Sequence, residues 1–133
     1  MFCVNCQKDV DAEIVTGADI YGPKFRFASA SYARCPICGN YGEYATNKEP
    51  PFLVIPDFRL RKAHNYIDCV LNLIWMQKKM SKAEMLFRMA DLMYNGKRPY
   101  RTRDIGNYDE ACRAYRLATQ LKKECFSNVK VSA

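Results

Sequence analysis

The sequence predicts an α+β protein, with a small N-terminal four-cysteine zinc ribbon packed against a three-helix C-terminal lobe. Three observations predict it. Two CxxC pairs, Cys3 with Cys6 and Cys35 with Cys38, are separated by 28 residues. Around them, short apolar runs are broken by Gly and Pro, the pattern of strands and turns. Beyond Pro56, apolar residues recur at helical spacing behind good N-cap residues. The division falls into residues 1–50, the ribbon, and residues 51–133, a basic three-helix lobe with a frayed C-terminal tail. The two are expected to form one cooperative unit.

The cysteine pairs carry the chemistry of the first region. Two intervening residues let the backbone curl into a knuckle with both sulfurs facing one ion, and two knuckles complete a tetrahedron. Thiolates are soft ligands and four of them close the shell, so the expected cofactor is a structural Zn2+ held by Cys3, Cys6, Cys35 and Cys38. A disulfide framework or a redox CxxC fits less well, because two matched pairs stand in a chain of 133 residues. Gly39 suits the positive φ that often follows a knuckle. The remaining cysteines, Cys69, Cys112 and Cys125, are too widely spaced for a knuckle and read as buried apolar side chains.

Within the ribbon, Ile14–Thr16 and Asp19–Tyr21 read as strands flanking Gly17, with a turn at Gly22 and Pro23. Phe25 to Tyr32 reads as a strand leading into the second knuckle, and Tyr41 to Thr46 as its return. Residues 47–56 read as a linker whose apolar part, Phe52–Ile55, packs across the join of the two regions. Asp57 is the expected N-cap of a first helix, with Leu60, Ala63, Ile67, Val70, Leu71 and Ile74 as its buried stripe. Ser81 to Glu84 is a capping box for a second helix lined by Met85, Leu86, Met89, Ala90, Leu92 and Met93 and stopped at Asn95 and Gly96. Asn107 to Glu110 resembles another capping box. It starts a third helix that runs to about Glu124, with Ala114, Leu117, Ala118 and Leu121 on one side. The tail from Phe126 is expected to fray.

Charge is unevenly shared. The chain carries +7, yet residues 1–56 hold 5 Lys/Arg against 6 Asp/Glu, and residues 57–133 hold 16 against 8. Attraction for polyanions therefore belongs to the second region. Its densest part is the loop from Lys97 to Gly106. Lys97, Arg98, Arg101 and Arg103 surround Tyr100 there, and Arg113 and Arg116 follow on the third helix. Guanidinium groups grip phosphates and a Tyr ring stacks on a base, so this set is the candidate surface for nucleic acid or a partner. The plainer reading is a solvated basic surface. Arg59, Arg61 and Lys62 lie where a helix dipole disfavours cations. They read equally as contacts to phosphate or to an acidic partner surface, and as Arg59 or Arg61 paired with Asp57 or the ribbon's acids.

His64 and Asp68 share a helix face. Either Asp68 orients the His64 imidazole for acid–base work, or the two form a structural polar pair that ties the helix to the ribbon. No nucleophile or open metal site accompanies them, so a non-enzymatic protein with no small-molecule substrate is expected. The apolar run Cys69–Met76 is too short to span a bilayer. Met1-Phe2-Cys3 runs straight into a candidate ligand, which predicts no signal peptide. Unpaired thiols beside a zinc site point to a reducing cytoplasm.

The order of these features resembles a family of short phage- and prophage-encoded zinc-finger proteins of uncharacterised function. The matching residues are the two CxxC pairs, Arg59, Arg61, His64 and Asp68, then Trp75, Ile105-Gly106 and Cys112. The likeness extends from Cys3 to about Tyr115, and its specificity rests on the Arg59–Asp68 stretch. The chain departs from the family pattern at Phe52–Pro56, in place of a Gly-rich approach, and at Asp104, in place of a His. The resemblance implies a viral accessory protein in the host cytoplasm and supplies no activity. Two functions follow as expectations. One is nucleic-acid binding through the basic lobe. The other is inhibition or modulation of a host protein complex, such as a transcription machine or a defence nuclease.

Overall fold

The structure, a computed structural model, describes residues 1–44 and 49–131, with side chains described as far as residue 127. In chain order its elements are β1 (Phe2–Cys3), β2 (Lys8–Asp9), β3 (Glu13–Thr16), α1 (Gly17–Tyr21), β4 (Ser31–Arg34), β5 (Tyr41–Glu43), β6 (Val54–Ile55), α2 (Phe58–Met76), α3 (Lys82–Tyr94) and α4 (Tyr108–Val131). A 3-10 turn over Thr102–Asp104 precedes α4. The predicted α+β class is what forms.

The strands make two small sheets, ordered β2-β1-β6 and β3-β4-β5. The first knuckle follows β1, which pairs antiparallel with β2 and parallel with β6. The Phe52–Ile55 segment thus does lie across the join. Val4 N–H donates to the Ile55 carbonyl at 3.0 Å and Phe2 N–H to the Leu53 carbonyl at 3.2 Å. The second sheet is antiparallel, with Ile14 opposite Ala33 and Ala33 opposite Gly42. No strand exceeds four residues among those described, too little for a sheet to stand unsupported.

Two ribbon expectations are overturned. Asp19–Tyr21 is not a strand but the body of α1, closed by a full capping box between Thr16 and Asp19. Phe25 to Ala30 is not a strand either. Its carbonyls turn inward to satisfy the start of α1, with Gly17 N–H on the Ala30 carbonyl and Ala18 N–H on the Ala28 carbonyl. Gly17 is required there, because a Cβ would sit 2.2 Å from the Phe27 carbonyl oxygen. The expected return strand is β5, which ends at Glu43. Ala45 and Thr46, and Asn47 and Lys48 of the linker, lie outside the described residues.

The helices start where their caps predict. Asp57 accepts from Leu60 N–H at 2.8 Å, Ser81 from Glu84 N–H at 3.1 Å and Asn107 from Glu110 N–H at 2.8 Å. Asn95 ends α3 with a left-handed φ of 55°. The main core joins all three long helices. Leu60, Ile67, Leu71 and Ile74 of α2 meet Met85, Met89 and Met93 of α3 and Ala111, Ala114, Ala118 and Leu121 of α4. The small Ala stripe lets α4 lie close along α2, its principal neighbour. The predicted frayed tail is replaced by helix as far as Val131. Cys125 packs on the core, and Lys79 Nζ sits 5.3 Å from the Phe126 ring, so this turn has tertiary support. Ser132 and Ala133 lie outside the described residues.

Candidate metal centre and a cationic groove

The folding of β1 and β4 brings both knuckles to one point. The sulfurs of Cys3, Cys6, Cys35 and Cys38 all lie within 4.8 Å of one another. Cys3 and Cys38 sulfurs are 3.7 Å apart and those of Cys6 and Cys35 3.8 Å apart. Four thiolates around an ion with bonds of about 2.3 Å would stand about 3.8 Å apart. The donor set and spacing therefore fit a tetrahedral metal ion, and all seven cysteines are free thiols. Asn5's side chain and the Asn40 backbone N–H hold the Cys38 thiol down at about 6. Burial, ahead of the neighbouring sulfurs, pushes Cys6 to about 12 and raises Cys3. Cys3 and Cys6 therefore hold their protons more tightly than free thiols, and a cation at the centre would take the protons' place.

The four-cysteine cluster is braced against the helices. Asn40 Nδ2 donates to the Pro56 carbonyl at 2.6 Å, and Arg61 donates to Asn40 Oδ1 at 3.1 Å and to the Tyr41 carbonyl. Arg61 is thus a strut to the ribbon, held by the Asn40 side chain and the Tyr41 carbonyl and not by the ribbon's acids. Gly42 lets β5 abut this join, since a Cβ there would lie 2.7 Å from Pro56 Cδ.

His64 and Asp68 do not form the expected pair. His64 is fully buried, and its Nε2 donates to the Ile105 carbonyl at 2.9 Å. Nδ1 has no partner among the described residues. Burial drives the imidazole pKa down to about 4, against the Ile105 bond, which favours the charged form. Asp68 instead accepts from Arg103 at 3.1 Å. The reason is direction. His64 lies on the buried stripe of α2 with Leu60 and Ile67, whereas Asp68 sits at the stripe's margin, within reach of the 3-10 turn.

The loop proposed as a binding surface is largely turned inward. Tyr100 is buried, its hydroxyl bonded to Thr102 at 2.8 Å, so its ring cannot stack on a ligand. Arg101 makes two bonds to Asp104, at 2.7 and 3.0 Å, and reaches the carbonyls of Pro50 and Pro51. Its guanidinium also lies 4.7 Å from the Phe52 ring centroid. Arg103 pairs with Asp68 and with Glu43 of β5. Arg98 lies over the Tyr94 ring and 3.5 Å from Glu110. Arg113 donates to the Leu92 and Met93 carbonyls at the end of α3. Among the described residues, Lys97 and Arg116 are the members of the predicted set that are exposed with no ion-pair or hydrogen-bond partner.

Arg116 belongs to a different feature, a groove of about 590 Å³ between α2 and α4. Arg59, Lys62 and Tyr66 of α2 face Tyr108, Tyr115 and Arg116 of α4 across it. Ala63, Ala111 and Cys112 complete the lining, and no carboxylate joins them. Tyr66, Tyr108 and Tyr115 are 60%, 40% and 44% exposed. The Arg59 guanidinium stacks 3.7 Å from the Tyr108 centroid. Among the described residues none of the three cations has an ion-pair partner. The tyrosines were not singled out from the sequence. Their signal was two mixed stripes: Arg59, Lys62 and Tyr66 at i, i+3, i+7, and Tyr108, Tyr115 and Arg116 at i, i+7, i+8. Cys112 lies in this groove and Cys69 is exposed, so neither is the fully buried side chain expected.

No helix among the described residues is long and apolar enough to cross a membrane. Comparison with protein-family models, curated proteins and solved structures finds no match.

Proposed function

We propose that this chain is a non-catalytic, zinc-braced accessory protein that binds nucleic acid along the α2/α4 groove. The observation that carries the reading is the groove's rim of unpaired Arg59, Lys62 and Arg116 around exposed tyrosines, without a carboxylate in the lining. The ion is zinc, because four thiolates select a soft divalent ion and leave no position for water. Its role is to hold the ribbon, against which Arg61 and Arg103 fix the helices. The phage context implied by the Arg59–Asp68 stretch, and with it the host cytoplasm, belongs to the same proposal.

The test is anisotropy of labelled oligonucleotides on metal-loaded protein over a salt series. Affinity should fall along a log–log line whose slope grows by about 0.7 to 0.9 for each phosphate engaged. Replacing Arg59, Lys62 and Arg116 together by Ala should weaken binding about 10-fold or more and flatten that slope. Unchanged binding in the triple variant rejects the reading.

A second reading, a modulator of a host protein complex, is favoured by one other surface. Phe58, Leu73 and Met76 are 71%, 40% and 64% exposed on the face of α2 opposite its buried stripe. A stoichiometric protein that co-purifies after nuclease treatment, and is lost with Phe58→Glu, supports it.

A further inference from the structure

Resting on the nucleic-acid reading above, we propose that the α2/α4 groove is a single-strand site. An unpaired base lies against Tyr66 and Tyr115, and Arg59, seated on the Tyr108 ring, joins Lys62 and Arg116 in holding the phosphates beside it. Three observations lead here. Tyr66, Tyr108 and Tyr115 are 60%, 40% and 44% exposed within a concave lining. Aromatic faces in that setting are stacking platforms, and every base offers a face to them. The cations come from both walls, Arg59 and Lys62 from α2 and Arg116 from α4, so a chain with phosphates on either side of a base satisfies both. The volume of about 590 Å³ is within the range that encloses a ligand of drug or nucleotide size.

A duplex fits this surface poorly. Its bases cover one another's faces, so only its phosphates would meet the rim and the tyrosines would be idle. A single strand can splay a base into the groove while its backbone passes over the cations. The Arg59 guanidinium lies over the Tyr108 ring at 3.7 Å, so this ring orders a phosphate-binding cation in advance, while among the described residues Tyr66 and Tyr115 have no cation over them.

The experiment compares an oligothymidylate, an oligouridylate of equal length and a blunt duplex of equal length on the full metal-loaded chain. Both single strands should bind about 10-fold or more tighter than the duplex. Tyr66→Ala and Tyr115→Ala should each weaken single-strand binding about 5- to 100-fold and leave duplex binding unchanged, whereas Tyr108→Ala, which frees Arg59, should weaken both. The matching Phe variants keep the ring and should bind as the parent does, which separates stacking from misfolding. Bound oligothymidylate should slow alkylation of Cys112, in the groove, and not of Cys69, outside it. Equal affinity for duplex and single strand, or Tyr→Ala variants at full affinity, overturns the single-strand site while the triple cation variant still measures nucleic-acid binding by itself. Absence of binding to all three probes overturns both.

Discussion

The Lys97–Arg103 loop and the α2/α4 groove have similar ingredients, cations beside tyrosine, and opposite fates. In the loop, Arg98, Arg101 and Arg103 are consumed by Glu110, Asp104, Asp68 and Glu43, and Tyr100 is 3% exposed. In the groove, Arg59, Lys62 and Arg116 keep their charge outward and the rings stay accessible. The difference is which groups stand opposite the cations. Around the loop, the carboxylates of Glu43, Asp68, Asp104 and Glu110 and the carbonyls of Pro50 and Pro51 lie within reach of the guanidinium groups, which have five donors each. The groove lining holds no carboxylate, so Arg59, Lys62 and Arg116 have no ion-pair partner among the described residues. Cation density along a sequence therefore measures architecture as readily as it measures binding.

The largest expected effect lies on the loop's side of this contrast. Four-thiolate sites contribute on the order of 10 kcal/mol to folding. Cys35→Ser, or a strong chelator under reducing conditions, should abolish bound metal and unfold the ribbon strands. Hydrogen exchange should show protection lost first over β1 to β5 and over the loop that Arg101 and Arg103 tie to Pro50, Pro51 and Glu43. Groove amides in α2 and α4 should exchange later. Simultaneous loss in both would erase the distinction.

His64 gives a graded version of the same test, because it holds the loop's end through the Ile105 carbonyl. Its folded-state pKa of about 4 lies below the ordinary 6.5. The unfolded chain therefore takes up a proton between those values and the folded chain does not. The contribution of His64 to stability is full above pH 6.5 and falls as pH drops towards 4, by up to about 3 kcal/mol. Urea unfolding at several pH values should show this slope, and His64→Gln should remove this residue's share of it.

The smallest effect is the most discriminating. Arg101→Ala removes a two-bond pair that is 20% and 13% exposed, together with its carbonyl contacts, and should cost about 2 kcal/mol with oligonucleotide affinity intact. Arg116→Ala should leave stability within about 0.5 kcal/mol while weakening binding several-fold. Chemical denaturation and anisotropy on the two variants give the crossed pattern, and the reverse pattern would return the interface to the loop.

What the sequence made legible was whatever is encoded locally. The knuckles follow from CxxC spacing, and the long helices from Asp57, Ser81 and Asn107 with the apolar period behind them. The Thr16–Asp19 box was equally local and was masked by β-branched neighbours that read as a strand. The remainder depends on pairs distant in the chain. β1 meets β6 across some fifty residues, Arg101 finds Pro50, and His64 finds Ile105. The groove needs α2 and α4 side by side before Tyr66 and Tyr115 can share a surface, and no window along the chain contains both.

Gly42 sets how the two regions meet. The hydrogen atom in place of its side chain is all that separates β5 from the Pro56 ring, one residue before the α2 cap. The tilt of the four-cysteine half on the helices thus depends on an absent methyl group. Any larger residue at that position would act as a wedge, levering Asn40 off the Pro56 carbonyl and carrying the start of α2, with Arg59, away from Tyr108.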